Sequence, residues 1–248
     1  MSNLGPGVAA AFGNNLLRAL RPSDLALLLP SLEPMQLPTG TALHEPGDEV
    51  RFAWFPCGPT LLGFVVPLDD GGAVETALIG REGALGGIVS NGRVPAFCRA
   101  SVQVAGPLLR IGVAQLEAAK LNSLTLRHLF ARYADCLMAQ VFQSVACNAA
   151  HGLEQRTAKW LLSAMDRTGD HVVPLTQEQL AAMLGVGRSY ISRVIQSFKA
   201  RGVLRTRRGA LEVSQPEALP AIACGCRDAV RRHFDEVLHG VYPDEGEA

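Results

Sequence analysis

Leu175-Thr176-Gln177-Glu178-Gln179-Leu180-Ala181-Ala182-Met183-Leu184-Gly185-Val186-Gly187-Arg188-Ser189-Tyr190-Ile191-Ser192-Arg193-Val194-Ile195 is the stretch on which the reading of this chain turns. Thr176 is an N-cap residue whose hydroxyl can take a free amide of the first turn, and Gln179 stands three residues later, as a capping box requires. Gly185 permits the left-handed backbone that ends a short helix, and the small Ala181 lets a second helix approach closely. These features are the local logic of a helix-turn-helix.

The second helix separates its faces. At a helical step, Arg188, Ser192, Ser189 and Arg193 fall between about 0° and 140°, whereas Val194, Phe198, Ile191 and Ile195 fall between about 240° and 340°. One face is core; the other is an array of donors. Arginine can bridge the O6 and N7 of guanine, and hydroxyls can bond bases or phosphates, so Arg188, Ser189, Tyr190, Ser192 and Arg193 are candidate base readers in a major groove. After Gly202, Val203 to Val213 reads as two short strands joined at a basic turn, a wing whose Arg205, Arg207 and Arg208 suit phosphates. Thr176, Gln177 and Lys199 join them as candidate phosphate contacts. A surface helix and hairpin with merely solvated arginines is the alternative reading.

The charge pattern supports an anion-binding surface. The 248 residues carry 23 basic and 23 acidic groups, but 154–209 holds a net +6 between acidic blocks of −4 in 24–112 and −5 in 210–248, with 113–153 near neutral. A composition 48% hydrophobic and 19% charged excludes wholesale disorder, and no apolar run is long enough for a membrane span. No secretory leader is read, because the first basic residue is Arg18 and Val8 to Phe12 is too short an apolar core. A cytoplasmic chain with reduced thiols is expected. Of the six cysteines only Cys224 and Cys226 are close in sequence, and no His or Cys follows at finger-like spacing, so an incidental pair rather than a metal site is expected.

Residues 24–112 read as β structure, with turns at Pro38-Thr39-Gly40, Pro46-Gly47-Asp48, Cys57-Gly58-Pro59 and Asp69-Asp70-Gly71-Gly72 about ten residues apart. The clearest strands are Arg51 to Phe55, Leu61 to Val66, Ala73 to Ile79, Ala100 to Val104 and Leu108 to Ile111, a spacing that suits a barrel or roll. Asn14 to Leu29 reads as helix. From Val113 no proline intervenes until Pro174, and Leu126, Phe130, Tyr133, Leu137, Gln140, Ser144 and Cys147 form one stripe along a long helix, with Leu129, Cys136 and Val145 beside it. Apolar residues on two sides call for two partners, the roll and a twin helix of a second copy; burial within one monomer is the other possibility. A further helix spans Leu153 to about Arg167, with Thr157, Trp160, Leu161 and Ala164 on one face. The organisation is therefore a segment 1–23, a roll 24–112, a dimerisation helix 113–150 and a winged helix-turn-helix with tail 151–248.

This combination of a sensory β-roll, a long helix and a winged helix-turn-helix, with Leu175-Thr176-Gln177-Glu178-Gln179-Leu180-Ala181 leading to Gly185-Val186-Gly187-Arg188, resembles the cAMP-receptor/fumarate-nitrate-reductase (Crp/Fnr) family of bacterial transcription regulators. The roll matches by its turns and by Gly80-Arg81-Glu82-Gly83-Ala84-Leu85-Gly86. The resemblance implies an α+β chain with a cyclic-nucleotide-binding-like jelly roll, a homodimer, an inverted repeat of double-stranded DNA and RNA polymerase as partners, and no membrane. It implies that Arg188 and Arg193 read guanine, although Ser189 replaces the acidic residue many members have there. Members that bind cyclic nucleotides hold the phosphate with a Gly-Glu pair and, further along, an Arg followed by Ser or Thr. Here Arg81-Glu82 and Arg93-Val94-Pro95-Ala96 depart from that pattern.

Cyclic-nucleotide binding in the usual manner is therefore not expected, and the effector is unassigned. The candidate pocket is Arg81, Glu82, Arg93 and Arg99 against the first half of the long helix, other anions being possible ligands. The family's iron-sulfur branch clusters cysteines near the N-terminus, and none precedes Cys57, so no such cluster is expected. His44 reads as a turn-flanking residue rather than a haem ligand. The Cys224-Gly225-Cys226 pair also resembles a terminal cysteine motif of one branch. No P-loop, Gly-x-Ser-x-Gly or His-Glu-x-x-His is found, so an enzyme is not expected. A regulatory module that acts through protein rather than DNA is the competing reading, distinguished by binding that salt does not weaken.

Overall fold

The computed structural model describes residues 13–69, 71–88 and 94–239. Its β-rich part holds two antiparallel four-stranded sheets. One has the order β1 (Glu33–Leu37), β8 (Gly106–Gly112), β3 (Phe52–Pro56), β6 (Leu85–Gly86); the other runs β2 (Ala42–His44), β7 (Arg99–Val104), β4 (Leu61–Pro67), β5 (Ala73–Ile79). Side-chain alternation along β3 explains the layering. Trp54 points into the space between the sheets with Leu62, Ile79, Ala100, Val102 and Leu108, while Ala53 and Phe55 face a helical layer on the other side. The five expected strands are present. The three that the sequence did not signal are short or at an edge: β1 carries Pro34, tolerable on an edge strand, and β6 has only two residues.

Helix α1 (Asn15–Arg18) and α2 (Pro22–Leu28) replace the single helix expected over Asn14 to Leu29, because Pro22 begins a new helix. Asn14 is fully buried: its Nδ2 donates to Pro56 O and Gly83 O, each at 2.8 Å, and its Oδ1 accepts from Leu17 N at 3.0 Å. The expected long helix over 113–150 is also divided, into α3 (Val113–Asn122) and α4 (Leu124–Ala150). Ser123 takes extended backbone there. Its Oγ accepts from Leu126 N at 3.1 Å and donates to the Asp24 carboxylate at 2.6 Å, so a residue far away in sequence fixes the break.

Helix α5 (Leu153–Thr168) ends at the left-handed Gly169, and Thr157, Trp160, Leu161 and Ala164 are all buried. The winged-helix part follows, with β9 (Val172–Val173), α6 (Gln177–Met183), α7 (Arg188–Ala200), β10 (Leu204–Arg207) and β11 (Ala210–Val213). After α8 (Leu219–Ile222), helix α9 (Cys226–Leu238) turns back along α4: Gln143 meets Cys226, the Tyr133 and Phe234 rings meet edge-on at 6.3 Å, and Arg132 donates to Val237 O. The two helices are thus antiparallel. Leu238 enters the core beneath the roll. Among the described residues, no helix is long and apolar enough to cross a membrane.

The stripe named for the dimer helix requires correction. Leu126, Phe130 and Tyr133 are at most 1% exposed, packed into the chain's own core. The Tyr133 hydroxyl donates to Ala84 O at 3.0 Å, and a Cβ at Gly83 would collide with it, which explains glycine there. Leu137 packs toward the inter-sheet cluster, Gln140 donates to Leu78 O at 2.9 Å, and Ser144 bonds back to Gln140 O. The opposite side of α4 instead exposes Leu124, Met138, Phe142 and Val145. Periodicity separated two faces correctly, but the more apolar stripe goes to the interior because the roll and α9 both claim it.

Candidate nucleic-acid interface

Local chemistry builds the helix-turn-helix. Thr176 Oγ1 accepts from Gln179 N at 3.2 Å and Gln179 Oε1 accepts from Thr176 N at 2.8 Å, a reciprocal capping box at the start of α6. Gly185 has φ +64°, and an added Cβ would come within 2.9 Å of Val74, so conformation and close approach to β5 both demand glycine. Ile191, Ile195 and Phe198 are fully buried on the inner face of α7, beside Leu180 and Ala181.

On the outer face, Arg188, Ser189, Tyr190 and Arg193 are exposed. The Arg193 guanidinium lies 4.7 Å from the centre of the Tyr190 ring, a cation–π contact that orients it. Neither Arg188 nor Arg193 makes an ion pair among the described residues. Ser192 is half-buried and donates to Gln177 Oε1 at 3.0 Å, so these two side chains hold each other. Thr176 is similarly engaged by its capping role.

The wing pairs Leu204 to Arg207 against Ala210 to Val213 around Arg208-Gly209. Its arginines are unequal. Arg207 is held bidentate by Glu212, with both contacts at 2.8 Å, and this pairing raises its pKa above the ordinary value. Arg205 and Arg208 are exposed and without an ion pair among the described residues, as is Lys199. Arg188, Arg193, Lys199, Arg205 and Arg208 are therefore exposed cations without an ion pair among the described residues, whereas Arg207 is partly neutralised.

Of the expected effector residues, Arg81 and Glu82 share a cleft that Arg99 does not line. Arg99 is paired with Glu45 at 2.8 Å, and Arg93 lies outside the described residues. The first half of α4 packs directly on Gly83 and Ala84 through Tyr133. The cleft, of about 1470 Å³, lies against the second half of α4, bounded by β5, α5 and α9, with Arg81 and Glu82 on its wall. Glu82 accepts from Arg167 at 2.7 Å, and Arg81 reaches Asp166 O at 3.5 Å.

Trp160 Nε1 donates to Glu75 Oε1 at 3.0 Å across the boundary between roll and winged helix. Glu75 is half-buried as a residue, but its Oε2 is inaccessible and has no hydrogen-bond partner among the described residues. Burial pushes this carboxyl up to about 7; the Trp160 hydrogen bond and the Arg167 and Lys159 charges only partly oppose the rise. Nothing in the local sequence Val74-Glu75-Thr76 announced it.

Cys224 and Cys226 also have company that sequence spacing did not disclose. Cys147 Sγ lies 3.6 Å from Cys224 Sγ, and Cys226 Sγ lies 3.5 Å from His151 Nδ1. The missing partners come from the end of α4, upstream in the sequence, rather than from a finger-like repeat downstream.

Residues 155–222 match the family model of the Crp-like helix-turn-helix domain. No curated protein matches the chain. Among solved structures, FixK2 from Bradyrhizobium japonicum is similar with a TM-score of 0.66 at 12% identity, covering 78% of this chain and 98% of its own. TTHB099, a CRP-family transcriptional regulator from Thermus thermophilus, gives 0.64 at 18% identity over 76% and 96%. The c-di-GMP-responsive global regulator CLP from Xanthomonas campestris gives 0.62 at 14% identity over 78% and 99%. The chain thus shares the fold of these Crp/Fnr-type structures, and its residues 155–222 form a Crp-like helix-turn-helix domain.

Proposed function

We propose that the chain is a homodimeric, sequence-specific transcription regulator that places α7 in the major groove of an inverted repeat and acts at promoters through RNA polymerase. The observation that carries this reading is the exposed donor face of Arg188, Ser189, Tyr190 and Arg193, with Arg205 and Arg208 beside it on the wing and Ile191, Ile195 and Phe198 buried behind it. Arg188 and Arg193 read bases; Ser189, Tyr190 and Ser192 refine that reading. Lys199, Arg205 and Arg208 hold phosphates, Thr176 and Gln177 contribute mainly through the backbone they order, and Arg207 contributes less because Glu212 occupies it.

Selection from a randomised duplex pool tests the assignment. Arg193→Ala should cost about 1–3 kcal/mol and flatten preference at one base pair per half-site, whereas Arg208→Ala should weaken all sequences alike and make the salt dependence shallower. An unchanged selected motif with Arg193→Ala would overturn the placement of α7. Binding that salt does not weaken would favour a protein partner instead.

The dimer uses the exposed side of α4, where Met138, Phe142 and Val145 line one face at heptad-like spacing. Two recognition helices on one face of the duplex then need half-site centres about 34–36 Å apart. Phe142→Glu should shift the chain from dimer to monomer in sedimentation at micromolar concentration and lower affinity for the full repeat far more than for a half-site. A wild-type chain that sediments only as monomer, with and without DNA, would overturn this. Effector control falls to the cleft between β5, α4, α5 and α9, since a ligand switches DNA binding only by favouring one arrangement of parts that it touches.

A further inference from the structure

We infer that Cys147, His151, Cys224 and Cys226 form a closed site for a single tetrahedral metal ion of the zinc class, which clasps α9 onto the end of α4. The four ligand atoms lie within 4.8 Å of one another. Distances decide the nuclearity. Around one zinc ion with bonds of about 2.0–2.3 Å, tetrahedral ligand atoms sit roughly 3.5–3.8 Å apart. The Cys147–Cys224 sulfur pair is at 3.6 Å and the Cys226 sulfur is 3.5 Å from His151 Nδ1. An iron-sulfur cluster interposes several iron and sulfide atoms and would hold its ligands farther apart.

The donor set and its surroundings agree with a structural ion. Three thiolates and one imidazole are a common zinc complement, and four protein ligands leave no open position for substrate. All three cysteines are at most 7% exposed and form a small cluster of their own. Gln143 Nε2 is 3.1 Å from Cys226 Sγ, placed to donate to a thiolate and orient it. The thiols release their protons to solvent as the ion binds, so no oxidant or reductant is involved.

The topology gives the site its effect. Cys147 lies in the last turn of α4 and His151 caps it, four residues on, while Cys224 and Cys226 flank the turn that opens α9. An ion there joins the long helix, the exit of the winged-helix domain and the helix whose Leu238 reaches the core under the roll. Occupancy would therefore set whether α9 stays docked.

The test uses the full chain, purified under reducing conditions from zinc-replete cells, with elemental analysis and with cobalt(II) as a spectroscopic substitute. One zinc per chain is expected, together with intense visible ligand-field bands and sulfur-to-cobalt charge transfer. His151→Gln and Cys226→Ser should each lose most of the metal and become more readily cleaved by protease within 226–238, whereas Cys98→Ser should retain both properties of the wild type. Absence of equimolar metal and of the cobalt spectrum in the wild type would overturn the inference. So would iron with acid-labile sulfide, a Cys147–Cys224 disulfide in the reduced preparation, or undiminished metal in Cys226→Ser.

Discussion

Phe198→Ala should destabilise the folded chain by about 3–5 kcal/mol, the range for truncating a buried aromatic ring. Phe198 is fully buried in the cluster that joins Ile191 and Ile195 to Leu161, Leu180 and Leu204, and the Arg201 guanidinium sits 5.2 Å from its ring. Removing the ring leaves a cavity directly behind the donor face of α7, so DNA affinity should fall although no DNA-facing atom has changed. Leu61, Leu78 and Val104 of the roll share the same cluster, which predicts that the loss appears as a lower main melting transition rather than as separate melting of the winged helix. Thermal melts followed by circular dichroism, with Phe198→Leu as the milder comparison, check this. A variant that melts within a degree of the wild type would contradict the packing.

The second large effect is a pH dependence centred on Glu75. Its ordinary pKa of 4.5 rises to about 7 in the folded chain, chiefly because the carboxylate is buried. Between those values the folded chain holds a proton here that the unfolded chain has released. Stability therefore falls as pH rises through this window, and the loss is complete above about 7. From mildly acidic to mildly alkaline solution, this group should lower stability by on the order of 2 kcal/mol. Glu75→Gln keeps an acceptor for Trp160 and cannot ionise, so it should flatten the dependence and be the more stable form at alkaline pH. Denaturant unfolding at a series of pH values measures both; parallel profiles for wild type and variant would refute the assignment. Because Glu75 joins the roll to α5, the same variant should hold the two parts together more firmly above neutral pH.

The winged helix-turn-helix was the most legible part because its signals are short-range. The Thr176–Gln179 capping box closes over three residues, Gly185 answers a backbone requirement of its own turn, and Gly202 and the Arg208-Gly209 turn delimit the wing. The two faces of α7 follow from helical geometry alone. Arg207 shows the limit: its charge was visible, but whether it was available depended on Glu212, which the hairpin register brings within reach.

The β-roll, the long helical segment and the winged helix-turn-helix with its basic outer face are legible from the residues alone, since alternation, periodicity, caps and turn residues act within a few positions of one another. Long-range packing sets which side of α4 turns inward, where Ser123 interrupts the helix, how Glu75 comes to be buried beneath Trp160 and which residues join Cys224 and Cys226. In each case the partner lies tens of residues away: Asp24 with Ser123, Trp160 with Glu75, Cys147 with Cys224. A helical repeat specifies the angle between two faces but not what covers them. That choice belongs to competition among distant surfaces for burial, and here α9, a helix beyond the winged domain, took a face that periodicity alone had offered to a second copy.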